Sequence, residues 1–162
     1  RLQRQGVRRR HRRPVREGVT AVCDAVRVVI DRSAFWKVLA DDTDRLMTVQ
    51  TPMAPQMVRL TEPDLANAVD ALLENVFAHT PEGTAMHVTV DVGADGASVL
   101  VADEGPGIGR GAVDRGRSGG GSTGLGLDIV RRTAEASGGC LDVGTSATGG
   151  AAMTMRLGAD AR

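Results

Sequence analysis

The chain has 162 residues, of which 41% are hydrophobic and 25% are charged. This balance is typical of a soluble globular protein, and the length suits one domain with a sizeable core. No stretch approaches the roughly 18 apolar residues of a membrane helix, and there is no signal-peptide pattern. Cys23 and Cys140 lie far apart and without metal-ligand spacing, so we expect two buried, reduced thiols and a cytosolic location.

The formal net charge is zero, but the charge is unevenly distributed. Residues 1–16 contain eight arginines and no acidic residue, whereas the rest of the chain contains 12 basic and 20 acidic residues. The basic segment has no aromatic residue to stack on bases and no groove-reading motif, which argues against a nucleic-acid partner. The chain also begins with arginine rather than methionine. We therefore expect residues 1–30 to be a linker or the end of an upstream helical region, and residues 31–162 to be the functional domain.

Helical periodicity predicts one helix over residues 17–30 and a second over residues 32–40. Their predicted buried faces consist of large or branched apolar side chains: Val22, Ala25, Val26 and Val29 in the first, and Phe35, Trp36 and Leu39 in the second. Strands are predicted at about residues 46–50 and 56–60, because two prolines mark a turn between them.

A third helix is predicted from Thr61, its N-cap residue, to about His79. Asp64 stands three residues after the cap, as in a capping box, and Pro63 is tolerated in the first turn. Apolar residues at helical spacing define its core stripe: Leu65, Val69, Leu72 and Val76. The run Thr-Pro-Glu-Gly at residues 80–83 ends the helix.

Two pairs of strands follow, each joined by a turn that contains glycine. Residues 87–92 and 97–103 alternate apolar and polar side chains, which predicts a hairpin. A helix over about residues 124–137 precedes a second hairpin, with strands at about residues 140–145 and 151–157. Hairpins interspersed with helices predict an α+β fold, a two-layer α/β sandwich in which helices cover a mixed, mostly antiparallel sheet.

The strongest functional signal is the glycine-rich stretch at residues 103–127, which holds 10 of the 21 glycines. It begins with Asp103 at the end of a predicted buried strand and ends at the N-terminus of an amphipathic helix. A carboxylate can accept a hydrogen bond from an exocyclic amine, and a helix N-terminus offers free N–H groups to phosphate oxygens. The stretch therefore predicts a nucleotide-binding site.

A second candidate group lies on the third predicted helix. Ala71, Asn75, Ala78 and His79 form a stripe that flanks the core stripe. Asn75 then faces a rim, where its carbonyl oxygen can complete the ligand shell of Mg²⁺. An ordinary exposed helix asparagine is the alternative.

Four motifs together resemble, in order, those of bacterial sensor histidine kinases. LLENVFAHTPEG at residues 72–83 resembles the N box, DEGPGIG at 103–109 the G1 box, and STGLGLDIV at 122–130 the G2 box. The glycine pair and last strand within residues 149–157 are similar to the closing motif. About residues 60–158 thus resemble the GHKL ATPase superfamily, which includes type II topoisomerases, ninety-kilodalton heat-shock chaperones and mismatch-repair ATPases. The resemblance implies the Bergerat ATP-binding fold, with ATP and Mg²⁺ as ligands.

The resemblance also implies residue roles. Asp103 would accept from the adenine amino group, while Gly105 and Gly107 let the backbone approach the base. Asn75 would be the Mg²⁺ ligand, and His79 would contact adenine or phosphate. The implied nucleotide-binding set is Asn75, His79, Asp103, Gly105, Gly107, Ile108, Thr123, Gly124, Leu125, Gly126, Leu127 and Thr154. No residue of the chain is assigned as certainly catalytic.

Some residues of the predicted lid leave alternatives open. Ser122 and Thr123 either cap the following helix or touch the ligand. Arg115 and Arg117 either neutralise phosphate charge or are solvated.

The chain departs from the family pattern at three places. Ala71 stands where the hydrolysing branches have a water-activating glutamate, and Asp70, one residue away, points about 100° elsewhere. This disfavours a hydrolytic ATPase. Ala78 stands where many kinases have a lysine on the phosphates, and the lid lacks the phenylalanine of the F box.

The implied function is that of the catalytic domain of a sensor histidine kinase. It would transfer the γ-phosphoryl group of Mg-ATP to a histidine on a separate, upstream dimerisation domain. From that histidine the phosphoryl group would pass to a response regulator. No acceptor-histidine motif is present, and His11 has neither the spacing nor the acidic neighbour of one. We expect a cytoplasmic domain, attached to a membrane only through upstream segments. The alternatives are a nucleotide-binding scaffold with little catalysis, and a serine kinase of the anti-sigma-factor type, against which the missing glutamate before Asn75 argues.

Overall fold

The computed structural model describes residues 21–107 and 124–160. These residues form three helices and seven strands, in the order β1 (Cys23–Asp24), α1 (Ala25–Asp42), β2 (Met47–Gln50), β3 (Met57–Val58), α2 (Glu62–His79), β4 (Met86–Gly93), β5 (Gly96–Asp103), α3 (Leu125–Ser137), β6 (Cys140–Thr145) and β7 (Ala151–Gly158). Within this part of the chain, no helix combines the length and the apolar character needed to cross a membrane.

The main sheet has five strands in the order β2-β4-β5-β7-β6. β2 runs parallel to β4, and the other neighbouring pairs are antiparallel. Both predicted hairpins are confirmed, as β4–β5 and β6–β7. The short strands β1 and β3 form a separate antiparallel pair.

One face of this sheet carries the hydrophobic core. The core side chains of β4, β5 and β7 form one buried cluster with those of all three helices. The alternate residues His87, Thr89 and Thr154 point to the other face and are only partly buried, as the strand period of two requires. We call this second face the open face. The predicted two-layer α+β sandwich is therefore confirmed.

Helix α2 matches its prediction closely. The Thr61 hydroxyl accepts a hydrogen bond from the backbone N–H of Asp64 at 3.2 Å and donates one to the Asp64 carboxylate at 2.6 Å. This pairing satisfies one of the free donors of the first turn and fixes where the helix begins. All four predicted core residues, Leu65, Val69, Leu72 and Val76, are fully buried.

The predictions for the first helices were partly wrong. The described residues contain one continuous helix, α1, which crosses the predicted break between residues 30 and 32 because no glycine or proline interrupts it there. It also crosses the predicted domain boundary at residue 30, and its first turns belong to the same core. The helix begins after Asp24, whose side chain accepts from the Val26 N–H at 3.1 Å. Residues 17–20, predicted as the start of the first helix, lie outside the described residues.

The predicted buried faces of this region also need correction. Phe35 is 54% exposed, and Leu39 and Val22 are each 39% exposed. Trp36 is the aromatic residue that packs against the core, and its neighbour Phe35 is then rotated by about 100° towards solvent. The strands predicted at residues 46–50 and 56–60 are shorter than expected, at Met47–Gln50 and Met57–Val58.

Polar contacts fix α1 against α2. The Trp36 indole N–H and the Arg32 Nε both donate to Oδ1 of Asp70, at 2.9 and 2.7 Å. The Trp36 ring centroid lies 5.2 Å from that of Phe77. The Asp70 carboxylate therefore faces α1, where it serves helix packing.

The two cysteines differ in exposure, which corrects the expectation of two buried thiols. Cys23 is buried and Cys140 is exposed, and neither forms a disulfide. Desolvation by burial, with a smaller contribution from the nearby Glu62 carboxylate, raises the pKa of the Cys23 thiol from 9.0 to about 11. Between these two values the unfolded chain loses the thiol proton and the folded chain keeps it, so alkali favours unfolding in this range.

This difference predicts selective thiol reactivity. At pH 8 a disulfide exchange reagent should modify Cys140 rapidly and leave Cys23 intact, because only thiolates react and Cys23 is both protonated and buried. Titration should therefore count one reactive thiol per native chain and two in denaturant. A Cys140→Ser variant should show none until it unfolds. Rapid modification of Cys23 in the folded variant would contradict the described packing of β1.

Candidate functional site

The site is built around Asp103, the last residue of β5. This residue is only 3% exposed. Oδ1 accepts hydrogen bonds from the backbone N–H groups of Gly105, at 2.9 Å, and Ala151, at 3.1 Å. Among the described residues no group donates to Oδ2. A buried carboxylate with one oxygen satisfied in this way leaves its second oxygen available to a ligand with an N–H group.

The strand end fits closely against the glycine pair that precedes β7. A Cβ at Gly150 would lie 1.9 Å from the backbone oxygen of Asp103 and 2.6 Å from its Oδ1. That backbone oxygen also accepts from the Ser146 hydroxyl at 3.0 Å. Any side chain at residue 150 would therefore push β7 away from Asp103 and break the hydrogen bond from the Ala151 N–H group to its carboxylate.

Gly107, the last residue of the first described range, makes a similar close approach. Its φ is +82°, and a Cβ there would lie 2.6 Å from the backbone oxygen of Gly149. Glycine is thus required both for the backbone conformation and for the contact. The G1-like turn and the closing glycine pair form one continuous piece of backbone packing.

The second polar group comes from α2. Asn75 is partly buried, and its Nδ2 donates to the Met153 sulfur at 3.3 Å. Met153 pairs with Val101, two residues before Asp103, on the helix-covered face of the sheet. Asn75 therefore lies over the same face as Asp103, with its carbonyl oxygen left to act as an acceptor. His79 is the last residue of α2, one turn beyond Asn75.

The third component is the N-terminus of α3, which packs against α2. Gly124 is the N-cap in the left-handed conformation, with φ of +67°, and no side chain caps the helix there. A Cβ at Gly126 would lie 3.9 Å from the Ala71 Cβ, so the first turn of α3 meets α2 one turn before Asn75. The backbone N–H groups of Leu125, Gly126 and Leu127 belong to the turn that has no intrahelical acceptors.

The described contacts join Asp103, Gly105 and Gly107 into one turn against the glycine pair before β7. Asn75 and His79 lie on α2, beside that face of the sheet. The remaining described residues of the predicted set, Gly124, Leu125, Gly126 and Leu127, lie at the start of α3, which packs against α2. The predicted site residues Ile108 and Thr123, and the residues considered with them, Arg115, Arg117 and Ser122, lie outside the described residues.

Thr154 does not join this group. It pairs with Leu100 and Asp142 on the open face, because the side chains of β7 alternate and Met153 faces the helices. The structure thus places Thr154 on the face of the sheet opposite to that of Asp103. The residues that do reach Asp103 are Ala151, the first residue of β7, and Gly150 immediately before it. Sequence reasoning had recognised the glycine pair but not its hydrogen-bonded neighbour.

The departures from the family pattern also have structural explanations. Ala71 is 7% exposed because the start of α3 covers it. Asp70 points to α1, where it holds Trp36 and Arg32, and so cannot replace the missing glutamate. Neither residue offers a base for activating water.

The same architecture occurs in other proteins. Residues 61–161 match the family model described as histidine kinase-, DNA gyrase B- and HSP90-like ATPase. Hybrid signal transduction histidine kinase D of Dictyostelium discoideum is 29% identical over an alignment of 141 residues, which covers 77% of this chain and 9% of that protein. This chain thus spans only a small part of that relative.

Solved structures extend the likeness. The ATP binding domain of PrrB from Mycobacterium tuberculosis is 22% identical, with a TM-score of 0.70 over 87% of this chain and 98% of that one. The mycobacterial sensor histidine kinase MprB is 25% identical, with a TM-score of 0.69 over 88% of this chain and all of that one. The nucleotide-free catalytic domain of histidine kinase ThkA is 17% identical, with a TM-score of 0.74 over 86% of this chain and 96% of that one.

The family match covers more than half of the chain, and it includes α2, both hairpins and α3. It also contains every described residue of the site, from Asn75 to Ala151. The chain belongs to the family of histidine kinase-, DNA gyrase B- and HSP90-like ATPases.

Proposed function

We propose that the chain is the ATP-binding catalytic domain of a sensor histidine kinase. It would position Mg-ATP so that the γ-phosphoryl group passes to a histidine of a separate dimerisation domain. The observation that carries this proposal is the buried Asp103 carboxylate, with Oδ1 held by two backbone N–H groups and with no donor to Oδ2 among the described residues. The histidine kinases of similar sequence and fold support it.

Asp103 accounts for adenine selectivity. Its Oδ2 would accept from the 6-amino group of adenine, whereas guanine has a carbonyl oxygen at that position. The carboxylate would then face another acceptor in a buried setting, which costs about 1–3 kcal/mol or more for a charged group. The fixed backbone donors to Oδ1 hold the carboxylate still, so the protein does not have to reorganise when the base binds.

The phosphates would lie towards Asn75 and the start of α3. Asn75 fits the Mg²⁺ role because its amide nitrogen is engaged by the Met153 sulfur, which leaves the carbonyl oxygen as the ligand atom. Mg²⁺ commonly takes few protein oxygens and completes its shell with phosphate and water. Bound Mg²⁺ would supply charge neutralisation on the phosphates, and the N–H groups of the first turn of α3 would add fixed donors.

Transfer to a protein nucleophile fits this site better than hydrolysis. Phosphoryl transfer requires mainly positioning and charge stabilisation, and the nucleophile can come from another domain. A hydrolase needs a group that activates water, whereas Ala71 is apolar and covered and Asp70 faces α1. The proposed partners are therefore an upstream dimerisation domain with the acceptor histidine, and a response regulator. The chain would work on the cytoplasmic side, joined to any membrane anchor through upstream segments.

Asp103→Asn should abolish the adenine preference. The amide keeps one acceptor for the two backbone N–H groups, so its NH₂ group then faces the adenine amine. We expect the Kd for ATP, measured by calorimetry with Mg²⁺, to rise at least about tenfold, and the ratio of GTP to ATP affinity to approach one.

Asp91→Asn is the matched control, because Asp91 is exposed on β4. It should bind ATP like the unsubstituted chain. An Asp103→Asn protein that is folded and binds ATP with unchanged affinity would overturn the assigned role of Asp103. An unsubstituted chain that binds no ATP would overturn the proposed function.

Asn75→Ala should separate nucleotide binding from phosphoryl transfer. In a longer chain that includes the dimerisation domain, loss of the Mg²⁺ ligand should reduce the rate of phosphohistidine formation about 100-fold. ATP binding without Mg²⁺ should change little. Asn67→Ala, at an exposed asparagine of the same helix, should retain full transfer.

The chemistry of the phosphorylated product discriminates the remaining alternatives. A histidine kinase yields an acid-labile phosphoryl group. An acid-stable phosphoserine on a partner would indicate the serine kinase instead. Tight ATP binding with no transfer from the unsubstituted protein would indicate a scaffold.

A further inference from the structure

Arg45 is a buried charged residue that has no part in the function proposed above. It lies between α1 and β2 and is only 4% exposed. Within the described residues it forms no ion pair, and its Nε has no hydrogen-bond partner. Burying a guanidinium without a carboxylate partner costs folding free energy, so we expect the contacts of Arg45 to offset this cost or to contribute to function.

Within the described residues, the side-chain hydrogen bonds of Arg45 all go to Thr80, the residue that follows α2. Nη1 donates to the Thr80 Oγ1 at 2.6 Å, and Nη2 donates to the Thr80 backbone oxygen at 2.9 Å. The guanidinium also stacks over the Phe77 ring, 4.7 Å from its centroid. The cation thus lies at the C-terminus of α2, where it interacts favourably with the helix dipole. Its two hydrogen bonds fix both the backbone and the side chain of Thr80.

Thr80 passes this constraint to the turn after β5. Its hydroxyl donates to the Val76 backbone oxygen at 2.6 Å, which fixes the side-chain rotamer. Its methyl carbon lies 2.7 Å from the place where a Cβ on Gly105 would stand. Gly105 in turn donates its N–H group to the Asp103 carboxylate. A continuous line of contacts therefore runs from Arg45 to the residue proposed to recognise adenine.

Backbone hydrogen bonds join the same segments independently of Arg45. Gly83 N–H donates to Thr43 O at 3.0 Å, and Met86 N–H donates to Leu46 O at 2.9 Å. The segments would thus stay connected without the arginine side chain. What that side chain adds is the fixed position of Thr80.

We propose that Arg45 is a positioning residue of the nucleotide site. It acts through Thr80, which holds the Gly105 turn, and with it the Asp103 carboxylate, in the orientation that accepts the adenine amine. It also fixes the end of α2 that carries Asn75 and His79. This inference rests on the proposed function, but the contacts from Arg45 to Gly105 exist without nucleotide.

The test compares Arg45→Met with Arg59→Met. Arg59 makes a comparable bond, from Nη2 to the Ser137 backbone oxygen at 3.0 Å, at the far end of α3. Both variants lose a contact to a helix end, but only Arg45→Met should raise the Kd for Mg-ATP, by about tenfold. Thr80→Val should have the same effect, and the double variant should be no worse than either single one. Arg45→Lys should recover part of the affinity.

A measurement without nucleotide keeps this inference separate from the proposed function. The Gly105 amide should exchange its proton faster and shift its NMR resonance in Arg45→Met and Thr80→Val, and neither change should occur in Arg59→Met. The same readout applies to Arg45→Lys and Thr80→Val if Arg45→Met does not fold.

The inference would be overturned if Arg45→Met and Thr80→Val left both the Gly105 amide signal and the Kd for Mg-ATP unchanged. It would also be overturned if Arg59→Met raised the Kd equally. If the unsubstituted protein bound no ATP, the proposed function would be wrong. A change in the Gly105 amide that occurred only in Arg45→Met and Thr80→Val would still support the line of contacts from Arg45 to Gly105.

Discussion

The burial of one carboxylate determines how this corner of the domain is built. Removing the Asp103 charge from water is unfavourable unless donors replace the lost hydration, and the donors are the N–H groups of Gly105 and Ala151. Because Ala151 begins β7, its N–H group can reach the carboxylate only if the backbone before it passes close to Asp103. Gly150 permits that approach. The glycine pair before the last strand is therefore a structural consequence of the carboxylate at the end of β5.

Helix α2 connects this site to the core and lies beside the first turn of α3. Leu72 and Val76 anchor the helix in the core, while Asn75 reaches over the sheet to the Met153 sulfur. A Cβ at Gly126 would stand at ordinary van der Waals distance from Ala71, so the first turn of α3 lies beside this residue. Ala71 is covered and apolar, and Asp70 is held by α1. The position next to the start of α3 therefore carries no water-activating base.

The sequence predicted those parts of the fold that depend on local pattern. The cap at Thr61, the core stripe of α2 and both hairpins follow from spacing alone, and the structure confirms them. Phe35 and Trp36 show the limit, because adjacent aromatic residues on a helix cannot both face inward. Contacts on another helix, the Asp70 carboxylate and the Phe77 ring, favour Trp36. Thr154 shows a second limit. A strand places successive side chains on opposite faces, so the face on which Thr154 lies depends on the register of β7 with β5.

The contacts least accessible to sequence reasoning join distant segments, and Arg45 is the clearest case, since 35 residues separate it from Thr80. Arg45 and Asp103 are the buried charged residues of the described chain, and they are of opposite sign. They do not pair directly but lie at the two ends of one line of contacts through Thr80 and Gly105. This separation matters chemically. A guanidinium bound to Asp103 would place its own donors on Oδ2 and exclude the base, whereas an arginine acting through Thr80 fixes the carboxylate and leaves that oxygen available.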